Sequence, residues 1–143
     1  MAVTPTPIYA QAPDVTTDGT TGMSQGVTSA AADYDGTSAN YVLVFTAGSN
    51  GAWLERIRCK AKGTNVAAVA RVFLNNGSTQ GTASNNAFFD EIALPATTAS
   101  TTAATPTVDQ PMNVRLPAGF KVYVGLGAAV AAGWVFTAVG GQY

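Results

Sequence analysis

From Asn40 onward, apolar and polar positions alternate with a period close to two, and each short apolar run is closed by Gly, Asn or Pro. Tyr41 to Thr46 is β-branched and aromatic, and it ends at Gly48-Ser49-Asn50-Gly51. Ala52 to Lys62 follows, closed by Gly63-Thr64-Asn65, and Val66 to Leu74 ends at Asn75-Asn76-Gly77, residues that tolerate positive φ in tight turns. Ala87 to Leu94 stops at Pro95, and a Thr/Ala loop from Ala96 to Thr107 leads to Val108 to Leu116. After Pro117-Ala118-Gly119 come Phe120 to Leu126, a Gly/Ala stretch, and Trp134 to Val139. About seven strands at this spacing predict an all-β fold, an antiparallel β-sandwich rather than βαβ units.

The alternation also assigns faces, because successive strand side chains point to opposite sides. Between Ala52 and Lys62 a strict period places Trp53, Ile57, Cys59 and Ala61 on one side with Glu55, an awkward partner for an apolar face. Arg56, Arg58, Lys60 and Lys62 share the other side. Trp53, Phe45, Phe89, Trp134 and Phe136 read as core aromatics, and Cys59 as a buried, inert thiol.

Residues 1–39 have no sustained period of 2 or 3.6, and they divide from the sandwich domain of residues 40–143 as an extended N-terminal arm. Pro5, Pro7 and Pro13 interrupt them, Ile8-Tyr9 is the one apolar anchor, and Asp14, Asp18, Asp33 and Asp35 have no Lys or Arg to balance them. The basic stripe reads either as a solvated outer face or as a protein contact; in the second reading the arm's acidity suggests a contact between copies, with Ile8, Tyr9, Asp14 and Asp18 from one side and Arg56, Arg58, Lys60 and Lys62 from the other.

Composition narrows the chemistry. Of 143 residues 10% are charged, against a usual ~25%, and the formal net charge is -1. A surface so poor in charge suits contact with other protein more than isolation in solvent. Histidine is absent and Cys59 is the single cysteine, which removes His-based nucleophile arrangements, an intrachain disulfide and Cys-cluster or His-based metal sites. Asp90-Glu91 are strand neighbours facing opposite ways, and Asp33-x-Asp35-Gly36 lacks the remaining ligands of a calcium loop. No phosphate-binding glycine loop occurs. These readings predict no catalytic residues, no cofactor and no metal.

The stripe spans roughly 20 Å at ~3.3 Å per residue, a length that would suit a phosphate backbone. A pI near 5.0 and the lack of interleaved exposed aromatics argue against direct nucleic-acid binding. Residues 122–143 carry no charge, yet five glycines dilute them and Val122, Val124 and Leu126 alternate with Tyr123 and Gly125, a strand pattern rather than a membrane helix. The N-terminus has neither the basic residues nor the apolar core of a signal peptide. No membrane association is expected.

Several segments together carry a resemblance. Phe45-Thr46-Ala47-Gly48-Ser49-Asn50-Gly51 through Leu54 and Ile57 resembles small virion proteins of tailed bacteriophages. So do Gly63-Thr64-Asn65-Val66, Arg71-Val72-Phe73-Leu74-Asn75-Asn76-Gly77, Leu94-Pro95-Ala96-Thr97, Leu116-Pro117-Ala118-Gly119-Phe120 and Ala131-Ala132-Gly133-Trp134. The resemblance covers residues 40–143 and implies a jelly-roll-like sandwich acting as a capsid cement or decoration protein. It would be made in the host cytoplasm and sit on the capsid exterior of the virion as a homo-oligomer, a dimer or trimer, bound to the major capsid protein. Two alternatives stand beside it: a tail-associated or head–tail connector sandwich, and a carbohydrate-binding module using Tyr34, Tyr41, Tyr123 and Tyr143.

Overall fold

The computed structural model describes residues 12–17 and 26–143. They form eight strands: β1 Ala12–Thr17, β2 Val42–Thr46, β3 Ala52–Ala61, β4 Ala68–Asn75, β5 Asn86–Leu94, β6 Thr107–Leu116, β7 Lys121–Leu126 and β8 Trp134–Gln142. Two four-stranded sheets result, in the orders β1-β8-β3-β6 and β2-β7-β4-β5, with every strand pair antiparallel. The pairs β1–β8 and β3–β6 lie in the first sheet, β2–β7 and β4–β5 in the second, so the chain is wound as one long hairpin rolled over two sheets. That is the jelly-roll arrangement of a β-sandwich. Residues 122–143, the uncharged stretch, hold β8 and all of β7 but Lys121, and no helix among the described residues is long and apolar enough to cross a membrane.

The core lies between the sheets. Leu54, Ile57 and Cys59 of β3, and Trp134, Phe136 and Ala138 of β8, meet Val44 and Phe45 of β2, Val72 of β4 and Val122, Val124 and Leu126 of β7. Full burial of each larger side chain contributes about 1.5–3 kcal/mol. The period-two reading of Phe45, Trp134, Phe136 and Cys59 as inward-facing holds.

Two assignments fail, both at bulges. Register slips between Leu54 and Arg56 against both neighbours of β3: Leu54 pairs Gly140 and Arg56 pairs Val139, leaving Glu55 unopposed on the β8 side. A bulge adds one residue and so reverses the alternation beyond it. Leu54, not Trp53, is therefore inward and fully buried, Glu55 escapes to solvent, and the period resumes at Ile57. The bulge brings backbones so close that a Cβ on Gly140 would stand 2.1 Å from the Trp53 carbonyl oxygen. The second slip falls between Val72 and Phe73, which pair Asp90 and Phe88. Phe89 is the extra residue, has no partner on β4, and is 41% exposed instead of in the core.

Part of the chain without sequence periodicity is built into the sandwich. Ala12–Thr17 pairs along β8 as the edge strand of the first sheet. Residues 26–30 run past the ends of β8 and β7, tied by a two-bond bridge between Val27 and Trp134, and residues 31–40 continue as a strap over the outer side of the second sheet, entered by the Ala31 N–H bonded to the Leu126 carbonyl at 2.6 Å. Ala31, Tyr41 and Phe73 form a small second core beneath it, with Tyr123 alongside.

Candidate functional site

The outer side of the β1-β8-β3-β6 sheet presents the predicted stripe. Arg56, Arg58 and Lys60 point outward from β3, and Lys62 is exposed just past its end. The stripe has partners in its own chain. Arg58 donates to both carboxylate oxygens of Asp109 on β6, at 2.8 and 3.0 Å. Arg56 bonds Glu55 and stands 3.9 Å from Asp109, and Lys60 donates to the Thr105 carbonyl. The Arg58 hydrogen bond, followed by its charge and that of Arg56, holds the Asp109 carboxyl below its ordinary range. At its far end, Lys60 and Lys62 rim a recess of about 300 Å³ whose other wall is the loop with Ser100, Ala103 and Thr105. Arg115 of β6 lies over the Tyr143 ring at 5.1 Å, so among the described side chains five cations share this side with two carboxylates.

The other predicted contacts distribute differently. Ile8, Tyr9 and Asp18 lie outside the described residues; Asp14 belongs to β1, where its backbone pairs Gly140. Asp33 and Asp35 sit in the strap on the opposite sheet. Both oxygens of Asp33 are engaged: Oδ1 accepts the N–H groups of Gly36 and Thr37 at 2.7 and 3.2 Å, and Oδ2 that of Ser38 at 3.0 Å. Asp35 accepts the Thr37 hydroxyl at 2.8 Å, which holds its carboxyl below the usual value. These carboxylates fold the loop they belong to. No group of three or more potential metal ligands occurs among the described residues.

Sequence reading did not foresee what fastens the strap. Arg71, outward on β4, is 7% exposed; its Nε donates to Glu91 at 3.0 Å, its Nη1 to the carbonyls of Ala32 and Asp33 at 2.7 and 3.4 Å, and its guanidinium covers the Tyr34 ring at 3.8 Å. Asn86 donates to the Asp35 and Gly36 carbonyls, Gln80 to those of Gly36 and Ser38, and the Tyr41 hydroxyl to those of Ala31 and Asp33. Burial pushes the Tyr41 phenol up to about 12. The donors are side chains and the acceptors main chain, so the strap's own sequence carries almost no trace of its attachment.

Beside the strap lies an exposed aromatic corner. Tyr34 is 61% and Phe88 46% exposed, their rings edge to face at 5.6 Å with Phe73 beneath. The tyrosines do not combine into one stacking platform: Tyr41 is buried, Tyr123 half-buried, and Tyr143 packs under Arg115.

Several of the turn segments noted in the sequence meet in space. At one end of the sandwich the side chain of Asn65 accepts the N–H groups of Ala132 and Gly133 at 2.8 and 2.9 Å and donates to the Gly133 carbonyl. Its backbone pairs Thr97, whose hydroxyl donates to Gly63 at 2.6 Å. At the other end Ala47 pairs Phe120 and Gly119, and a Cβ on Gly51 (φ +85°) would strike the Leu116 carbonyl at 2.6 Å. No family model, curated protein or solved structure matches the chain.

Proposed function

We propose that this protein is a bacteriophage capsid decoration protein of the cement type, bound outside the head as a homo-oligomer and bridging capsid subunits. The observation that carries the reading is the clustering of the virion-like segments. Three of them converge on Asn65 and two more on the Ala47–Phe120 contact, which supports reading them as joints of the sandwich rather than as a matter of composition. The surface fits that role: small polar loops, little net charge, and outward features suited to protein rather than to a small substrate. A shell component needs only modest patches, because many copies bound at several points hold a lattice by multivalency. The main partner would be the major capsid protein, and the place the outer face of the virion.

Particles assembled without the protein test this directly. They should lose DNA at lower temperature or under milder osmotic shock than complete particles, and adding back purified protein should restore the difference. Equal stability with and without it would contradict cementing. The tail or connector alternative predicts particles whose heads withstand shock but whose tails detach or fail to join.

A further inference from the structure

We infer that copies of this chain associate head to tail, the aromatic corner of one copy docking on the basic stripe of the next. This deepens the homo-oligomeric part of the proposed function by naming the two surfaces. Tyr34 and Phe88 are an exposed aromatic pair flanked by Asp35 and Glu91, and the cation on that corner, Arg71, is buried beneath the ring it covers. The nearest further cation on the sheet, Lys121, is on β7, two strands from Phe88 on β5. Such a corner fits a guanidinium-bearing partner, which gains the exposed side of the Tyr34 ring, away from Arg71, together with the exposed Asp35 carboxylate. The opposite sheet of the same chain offers that chemistry: Arg56, Arg58 and Lys60 in a row, with Lys62 and Arg115 around them, against Glu55 and Asp109 among the described side chains.

The two surfaces lie on opposite sheets, so a chain cannot satisfy its own corner with its own stripe. They flank the same side of the sandwich, since β5 and β6 are both edge strands and Gln110 bonds Asp90 across the gap between them. Each copy thus carries one surface of each kind, and their pairing is heterologous: a ring where the rotation closes, an open array where it does not.

Charge reversal in pairs gives the test, read by sedimentation equilibrium at low salt over a range of concentrations. Wild type should self-associate, and raising salt should weaken it, since exposed charges are screened beyond about 10 Å at 0.1 M. Asp35→Lys and Arg58→Glu should each weaken association by about tenfold. Their 1:1 mixture should recover it, because each variant then meets a complementary surface at both contacts. Asp35 is exposed, so its variant does not depend on tolerance of a core change. A second readout uses single cysteines, with Cys59 buried and silent. Tyr34→Cys mixed with Arg58→Cys should give a disulfide-linked heterodimer, and neither variant alone should cross-link. A monomeric wild type, a mixture that fails to recover, or cross-linking of either single variant with itself would each overturn the proposal.

Discussion

Strands β3 and β4 each send basic and polar side chains outward from the middle of a sheet, and the two outer faces could hardly behave more differently. On β3, Arg58 is half-exposed and its bidentate bond to Asp109 lies in solvent. On β4, Arg71 and Phe73 occupy equivalent outward positions and are both buried, because the strap covers them. An arginine in high-dielectric surroundings contributes little through its ion pair, whereas one enclosed with a carboxylate, carbonyls and a ring cannot be removed without stranding its partners. The outward face of a strand is defined by the sheet, but what that face does is decided by what the rest of the chain lays on it.

The largest effect should come from the apolar layer under the strap. Phe73→Ala removes the ring that packs against Tyr41 and Phe88 and should cost about 3–5 kcal/mol by denaturant unfolding. Arg71→Ala should cost about 3 kcal/mol, and amide exchange should show the strap opening, with residues 31–38 losing protection while β3 keeps its own. If both changes cost under 1 kcal/mol, the strap is not part of the folded unit.

The inward side of β3 gives the next contrast. Cys59 lies beneath the stripe, and burial, with a lesser contribution from the charge of Asp109, pushes its thiol up to about 12. The unfolded chain ionises this thiol near 9.0, so it sheds the proton first, and stability falls as pH climbs from 9 towards 12; below 9 both states are protonated and the term vanishes. By pH 10.5 the loss is on the order of 2 kcal/mol. Cys59→Ala should flatten that part of the stability–pH curve, and the wild-type thiol should resist Ellman's reagent until the protein unfolds. The smallest effect belongs to Arg58→Ala, with ~0.5 kcal/mol or less expected at moderate salt. A loss above 2 kcal/mol there would erase the distinction between the two faces.

The pattern of apolar and polar residues made seven of the eight strands legible, because each is a run of alternating or β-branched residues closed by turn formers. Trp53 and Phe89 were misplaced for one physical reason: a bulge advances the chain by one residue and inverts every face assignment made across it. Glu55, discordant on an apolar face, was the visible sign of the first bulge; nothing comparable marks the second. Ala12–Thr17 carries little strand signal, since an edge strand can be held by main-chain bonds to one neighbour. The strap was illegible for a related reason. Its anchors are Arg71, Gln80, Asn86 and Tyr41, scattered in sequence, and they grip carbonyl oxygens that every residue possesses. The basic stripe was readable because beyond Glu55 the alternation runs unbroken through Arg56, Arg58 and Lys60, but Asp109, its partner, comes from a strand 51 residues away.

The most direct test of the central claim is copy number per particle, measured by quantitative mass spectrometry of purified virions against the major capsid protein. The decoration reading predicts a count in the hundreds, commensurate with the capsid lattice. A count of a dozen or fewer, or none, would contradict it.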